Sequence, residues 1–206
     1  MKELIKARLL LADLKEIDKH YEETGFSTMT SIVMFKQVLI ATANLVDFEQ
    51  KIKPLYAKHR HLSASYRDTA REFEFAKYLR NKFVGHIKPE LIEKAVEWRP
   101  ELNYLLKRDD ALSMYFMNLF VLETAINTYV NVDGTHKVFD SNIHLIYTPD
   151  LDRFVVFLTG IVKAGIAYLQ KLIATLSKDI QFPDENKMDL KLWVAAGRTE
   201  FKFIRK

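Results

Sequence analysis

The segment YLRNKFVGHIK, residues 78–88, holds two side chains that could do chemistry together: the guanidinium of Arg80, which could meet an anionic ligand, and the imidazole of His86. A guanidinium offers a planar fork of donors that matches phosphate oxygens. An imidazole titrates near neutrality and can give or take a proton there. Together these types suit proton transfer beside a bound anion.

Helical periodicity decides whether they can meet. On a wheel of about 100° per residue with Phe73 at zero, Ala76 falls at about 300°, Phe83 at about 280°, Val84 at about 20° and Arg80 at about 340°. Arg80 is thus expected in the middle of the apolar stripe. A charge there needs partners, because an unpaired charge in a low-dielectric setting costs several kcal/mol. It either forms an ion pair inside the fold, with Glu72, Glu74 or an acid of a neighbouring helix, or faces a cleft or subunit interface where an anion binds. His86 would point about 120° away in an unbroken helix. Convergence therefore requires a helix ending at Gly85, or a two-fold dimer that brings Arg80 of one chain to His86 of the other.

The elements that must position these residues read as helices throughout. Leu4, Ala7, Leu11 and Leu14 make a helical stripe, stopped by Thr24-Gly25. A second helix runs from about residue 28 to 53, apolar on most faces, with Pro54 ending it and Lys36, Gln37, Asn44 and Asp47 arguing against a membrane span. A third is expected from about 65 to 84, capped by Ser65 and stopped by Gly85. Pro89 opens a fourth, Pro100 restarts the chain, Asp109 caps a fifth, and Thr148-Pro149-Asp150 starts the last long helix. Residues 131–149, with Asp133-Gly134, read as a loop or small hairpin. After Pro183 the tail reads as a short strand pair, a helix or an arm. The expected architecture is all-α, an up-and-down bundle of about five to six helices over residues 1–180 with a basic tail, 181–206.

Composition narrows the chemistry. The chain has 206 residues, 49% hydrophobic and 28% charged, the balance of an ordinary globular domain. Six glycines and five prolines favour long helices over a turn-rich strand fold. With no cysteine, disulfides, thiolate metal sites and a cysteine nucleophile are excluded. The N-terminal apolar run is broken at Asp13 and Lys15, too early for a signal peptide or a span, so the cytoplasm and no membrane contact are expected. The net charge is +4, and residues 187–206, with six cations against Asp189 and Glu200, supply all of it. Within the neutral remainder, residues 51–67 carry Lys51, Lys53, Lys58, Arg60 and Arg67 and no acid. Such stretches are solvated faces or phosphate-binding surfaces.

An arginine followed by a polar residue, then a histidine near a helix end, resembles the RxxxxxH-type motif of the HEPN family, here Arg80-Asn81 and His86 in an all-helical context. The resemblance implies an RNA-binding protein or metal-independent endoribonuclease that acts as a homodimer, in some members of defence or toxin-antitoxin systems with an antitoxin or regulatory partner. It implies His86 as general acid or base at the ribose 2′-hydroxyl or leaving oxygen, Arg80 on the scissile phosphate, and Asn81 orienting either. Lys82 and Lys88 would contact flanking phosphates. The resemblance bears specifically on residues 78–87, and the last long helix and basic tail are extra to it.

No cofactor and no metal are expected. His59-x-His61 could offer two ligands, yet no HExxH or third ligand accompanies them and the basic neighbours disfavour a cation. His20, His136 and His144 have no recognisable partners and read as surface or capping residues. The rival to RNA chemistry is a catalytically inert helical dimerisation or protein-interaction module.

Overall fold

The structure is a computed structural model that describes residues 1–25, 31–178, 180–182 and 190–199, the last span without the Leu192 side chain. Among these residues the fold is all-α. The helices are α1 (Lys2–Thr24), α2 (Ser31–Ile52), α3 (Arg60–Arg67), α4 (Ala70–Leu79), α5 (Pro89–Trp98), α6 (Leu102–Leu105), α7 (Ala111–Asn127), α8 (Thr148–Lys178) and α9 (Leu190–Gly197). A 3-10 turn, Lys53–Ala57, follows α2, and a π-helical turn, Arg80–Gly85, follows α4.

Punctuation in the sequence explains most boundaries. Gly25 takes φ 63°, a left-handed conformation that suits glycine, and its amide closes α1 on the Tyr21 carbonyl. Pro54 falls in the first turn of the 3-10 segment and Pro89 in the first turn of α5, where no amide donor is needed. The cap of α7 is Asp110 rather than Asp109: its carboxylate accepts from the Ser113 amide at 2.9 Å. That bond holds the Asp110 carboxyl below the usual carboxylate range.

The expected helix from about 65 to 84 is broken. Ser65 lies inside α3, where its hydroxyl accepts from Lys171 of α8 at 3.0 Å, and the chain turns at Asp68-Thr69 before α4 begins. The break lets Tyr66 and Phe73 pack ring to ring, 5.2 Å apart, against Tyr168 of α8.

α2 is the most enclosed helix, with Phe35, Val38, Leu39, Leu45 and Val46 wholly buried between α1, α4 and α8. Each such side chain contributes roughly 1.5–3 kcal/mol of burial. By length and composition α2 with its 3-10 extension and α8 are long and apolar enough to cross a membrane, and 61% and 44% of their most apolar windows are buried inside the bundle. α8 crosses α1 and α2 closely at Gly165, where a Cβ would lie 2.8 Å from Leu14 Cδ1 and 3.1 Å from Leu45 Cδ2. Tyr56 of the 3-10 turn donates to the buried Glu49 carboxylate at 2.9 Å and meets the Tyr168 hydroxyl at 2.7 Å. Burial pushes the Tyr168 phenol up to about 12.

Residues 131–147 form an irregular loop, which ends where α8 begins at Thr148; one isolated antiparallel bridge pairs His136 with Val130, just before the loop, around a turn with Gly134 at φ 84°. His136 and His144 have partners that their sequence neighbours did not reveal. The His136 ring is buried: Nε2 meets the Ile126 carbonyl at 2.9 Å, and Nδ1 accepts from the amides of Val138 and Phe139. Burial holds its pKa below the usual imidazole value. His144 meets Arg99 at 3.2 Å, and its amide donates to Asp150 at 2.9 Å. The buried Glu123 carboxylate takes the Leu145 amide and the Arg99 guanidinium, both at 2.7 Å, so the loop is pinned to α7 and α8.

Of the tail, Leu190–Gly197 is helical with its described side chains exposed, which selects the helix among the three readings, and residues 183–189 and 200–206 lie outside the described residues.

Candidate functional site

Arg80 and His86 occupy the two ends of the π-helical turn. A π turn closes its hydrogen bonds over five residues instead of four and appears mostly as a single turn inserted at the end or middle of an α-helix, frequently at functional sites. Here it extends α4 by the six residues RNKFVG. A Cβ placed on Gly85 would lie 3.4 Å from the Arg80 carbonyl oxygen, so Gly85 stands directly above Arg80. The chain then leaves the helix: His86 is extended, with φ −145° and ψ 109°. His86 therefore departs from a point one turn above Arg80, and the helix ends at Gly85 as the sequence required.

Arg80 is half-buried rather than central to the apolar face. Phe75 and Leu79 are buried together with Phe73 and Ala76, which moves the centre of that face to about 275° on the same wheel and leaves Arg80 on its margin. No ion pair forms with Glu72, Glu74 or any other acid among the described residues. The guanidinium instead donates from Nη1 to Asn81 Oδ1 at 2.9 Å. Asn81 is thus turned toward Arg80, and the other guanidinium donors make no hydrogen bond among the described residues. His86 is exposed, and its ring makes no hydrogen bond among the described residues.

Two depressions flank the turn. On one side Lys82, Lys88 and Lys94 line a pocket of about 190 Å³ with Tyr78, Thr128, Leu91 and Glu90. The Lys82 ammonium lies 5.8 Å from the centre of the Tyr78 ring, whose hydroxyl meets that of Thr128 at 3.0 Å. Lys94 is shared with Glu97 at 2.7 Å. Lys82 and Lys88, expected to contact phosphates, are brought to one cavity. Lys94, Tyr78 and Thr128 join them from α4, α5 and the end of α7, which spacing within residues 80–88 could not reveal.

On the other side Phe83, Ile87, Ile92, Val96, Leu106 and Val121 line an apolar groove of about 250 Å³. Phe83 is buried under Lys36 of α2, whose ammonium lies 5.0 Å from the ring centre and donates to Asn118 Oδ1 at 2.8 Å. Burial lowers the Lys36 pKa. This lysine holds the underside of the π turn. Its one sequence signal is a cation in the apolar run SIVMFKQVLI.

His59 and His61 contact each other edge to face at 6.0 Å, and His61 reaches Thr175 at 3.2 Å. Among the described residues no group of three or more His, Asp or Glu side chains is arranged to hold a metal ion.

The turn carries a half-buried guanidinium at its start and is followed by an exposed imidazole, with ammonium groups in the flanking pocket. Comparison of the chain with protein-family models, with curated proteins and with solved structures finds no significant match.

Proposed function

We propose that the protein is a HEPN-like, metal-independent endoribonuclease of the cytoplasm that acts as a homodimer, with Arg80, Asn81 and His86 as its catalytic residues. The observation that carries this reading is the pairing of a half-buried Arg80, free of any carboxylate among the described residues, with a π turn that ends at Gly85 directly above it. A guanidinium held only by a neutral amide keeps its charge for an incoming anion.

In the proposed reaction His86 takes the proton of a ribose 2′-hydroxyl. The 2′-oxygen attacks the adjacent phosphorus, the bond from phosphorus to the 5′-oxygen breaks, and the leaving oxygen takes a proton from the imidazolium of the partner copy or from water. The products are a 2′,3′-cyclic phosphate and a 5′-hydroxyl end. Arg80 binds the non-bridging oxygens, where charge grows in the transition state, and Asn81 fixes the guanidinium. The Lys82, Lys88 and Lys94 pocket takes a neighbouring phosphate of the strand. The attacking oxygen belongs to RNA itself, which limits the substrate to RNA over DNA.

The test is incubation of the purified chain with transfer and messenger RNA in EDTA, beside Arg80→Ala and His86→Ala. Cleavage by the wild type alone supports the assignment.

A second reading has its own observation. The apolar groove adjoins His86 through Ile87, which is 50% exposed, and Leu106 beside it is 70% exposed. Such a patch suits a protein interface, and an inert dimerisation module, or one held by an antitoxin-like partner, would use it without cleaving RNA. Binding of RNA or of itself without hydrolysis in the same assay would select this reading.

A further inference from the structure

The basic stretch 51–67 does not stand alone. α1 and α2 run antiparallel, since Lys6 lies 5.3 Å over the Phe48 ring, so the first turns of α1 meet the last turns of α2. α8 ends at the same place: Thr175 meets His61, Lys171 meets Ser65, and Arg8 lies 5.7 Å from the ring centre of Phe182, just beyond α8. Three chain segments far apart in sequence thus converge on one end of the bundle.

All three are basic there. α1 brings Lys2, Lys6 and Arg8; the 3-10 turn, the residue after it and α3 bring Lys53, Lys58 and Arg60; and the last eight residues of α8 bring Lys171 and Lys178 with no acid. Among the described residues the acids near this end are few. Glu3 is beside the N-terminal amine at 3.8 Å, Asp47 is paired with Lys77 at 2.8 Å, Glu49 is buried beneath Tyr56 and Lys53, and Asp68 stands at the α3–α4 corner. The opposite end of α1 has the reverse balance, with Asp13, Glu16, Asp18, Glu22 and Glu23 against Lys15 and Lys19. The molecule therefore has a cationic pole, a field that draws polyanions.

The pole is remote from the π turn. Phe83 packs beside Lys36, sixteen residues of α2 before Ile52, where the pole begins, whereas Lys77 pairs with Asp47, five residues before it; at about 1.5 Å per residue the turn that starts at Arg80 therefore lies between these levels, up to roughly 24 Å along α2 from the pole. We propose that this pole is an RNA-backbone docking surface, which holds the phosphates of a strand while a site several nucleotides away, at about 3.4 Å per stacked nucleotide, reaches the Arg80–His86 turn. The inference rests on RNA as the ligand proposed above, and it adds a requirement for length: a tetranucleotide cannot span the two surfaces.

The experiment is equilibrium binding of fluorescein-labelled RNA to the full chain carrying His86→Ala, followed by anisotropy across a salt series. A 30-nucleotide strand and a tetranucleotide are compared. Lys58→Gln/Arg60→Gln/Lys178→Gln removes three exposed cations of the pole, and Lys15→Gln/Lys19→Gln is the control at the other end, with circular dichroism confirming the fold of each. The pole variant is expected to lose about tenfold or more in affinity for the long strand, with the slope of log K against log salt falling by about 2, at about 0.7 per lost phosphate contact. The tetranucleotide, which reaches only one surface at a time, is expected to bind far more weakly than the long strand, and the control is expected to bind both as the parent does. Equal affinity and equal slope for the pole variant overturn the proposal. So does a pole that binds vesicles of anionic lipid while the strand ignores it. Binding at the pole without cleavage by the wild type would remove the nuclease reading and leave the docking surface. Cleavage with no effect of the pole variant would do the reverse.

Discussion

Gly85 stands one wide helical turn above Arg80, close enough that a Cβ on it would lie 3.4 Å from the Arg80 carbonyl oxygen. On a regular α-helix the residue after Gly85 would point about 120° away from Arg80. The π turn brings its sixth residue, Gly85, over the carbonyl of its first and releases the seventh, His86, as extended chain.

Arg80 is expected to matter for activity and hardly at all for stability. Among the described residues its guanidinium makes a hydrogen bond only with Asn81. Arg80→Ala should therefore lower RNA cleavage by about 10²–10³-fold, the scale seen when one group stabilising transition-state charge is removed. Urea unfolding should move by no more than about 0.5 kcal/mol, as for a surface change that breaks no buried contact. A large loss of stability in this variant would mean that Arg80 is structural.

The boundaries drawn by single residues were legible in the sequence. Gly25, Pro54, Pro89 and Thr148 mark helix ends because backbone chemistry leaves them few other places. The π turn was not legible, since a wheel of fixed period assumes the geometry that the turn departs from. The placing of Arg80 erred for a related reason: Phe75 and Leu79 shift the buried face, and only packing against α2 and α7 reveals them as core. Ser65 read as a cap and proved to be a partner of Lys171, 106 residues away. The cationic pole is invisible for the same cause, because its parts meet only after folding.

His136 makes stability depend on pH. Its Nδ1 accepts two backbone amides, so only the neutral ring fits, and its folded pKa lies below the usual value. A depressed folded pKa gives stability that is fully present above the unfolded value of about 6.5 and is lost as pH falls toward the folded value. Between these limits the unfolded chain binds the extra proton, and the slope approaches at most about 1.4 kcal/mol per pH unit. Urea titrations from pH 7.5 down to 5 should show this decline, and His136→Gln should be less stable at pH 7.5 and lack that component of the slope.

Gly165 allows α8 to press against Leu14 and Leu45. Gly165→Val should overpack the crossing and cost about 1–3 kcal/mol, measured as a lower urea midpoint. A variant as stable as the wild type would show that the three helices separate without penalty.

Glu123 fastens the 131–147 loop through Leu145 and Arg99. Glu123→Ala leaves a buried amide and a mostly buried guanidinium without their acceptor, and a broken buried pair costs about 3–5 kcal/mol. Hydrogen exchange should rise first at residues 143–147. Protection that is unchanged there would contradict the pinning role.

The most direct measurement is the chemistry of the cut. Purified protein is incubated with a defined RNA in EDTA, and the new ends are identified by mass spectrometry for the wild type, Arg80→Ala and His86→Ala. The wild type is expected to leave 2′,3′-cyclic phosphate and 5′-hydroxyl ends, and either variant almost none. Equal cleavage by all three proteins, or no cleavage by a wild type that binds the RNA, would contradict the catalytic role of Arg80 and His86.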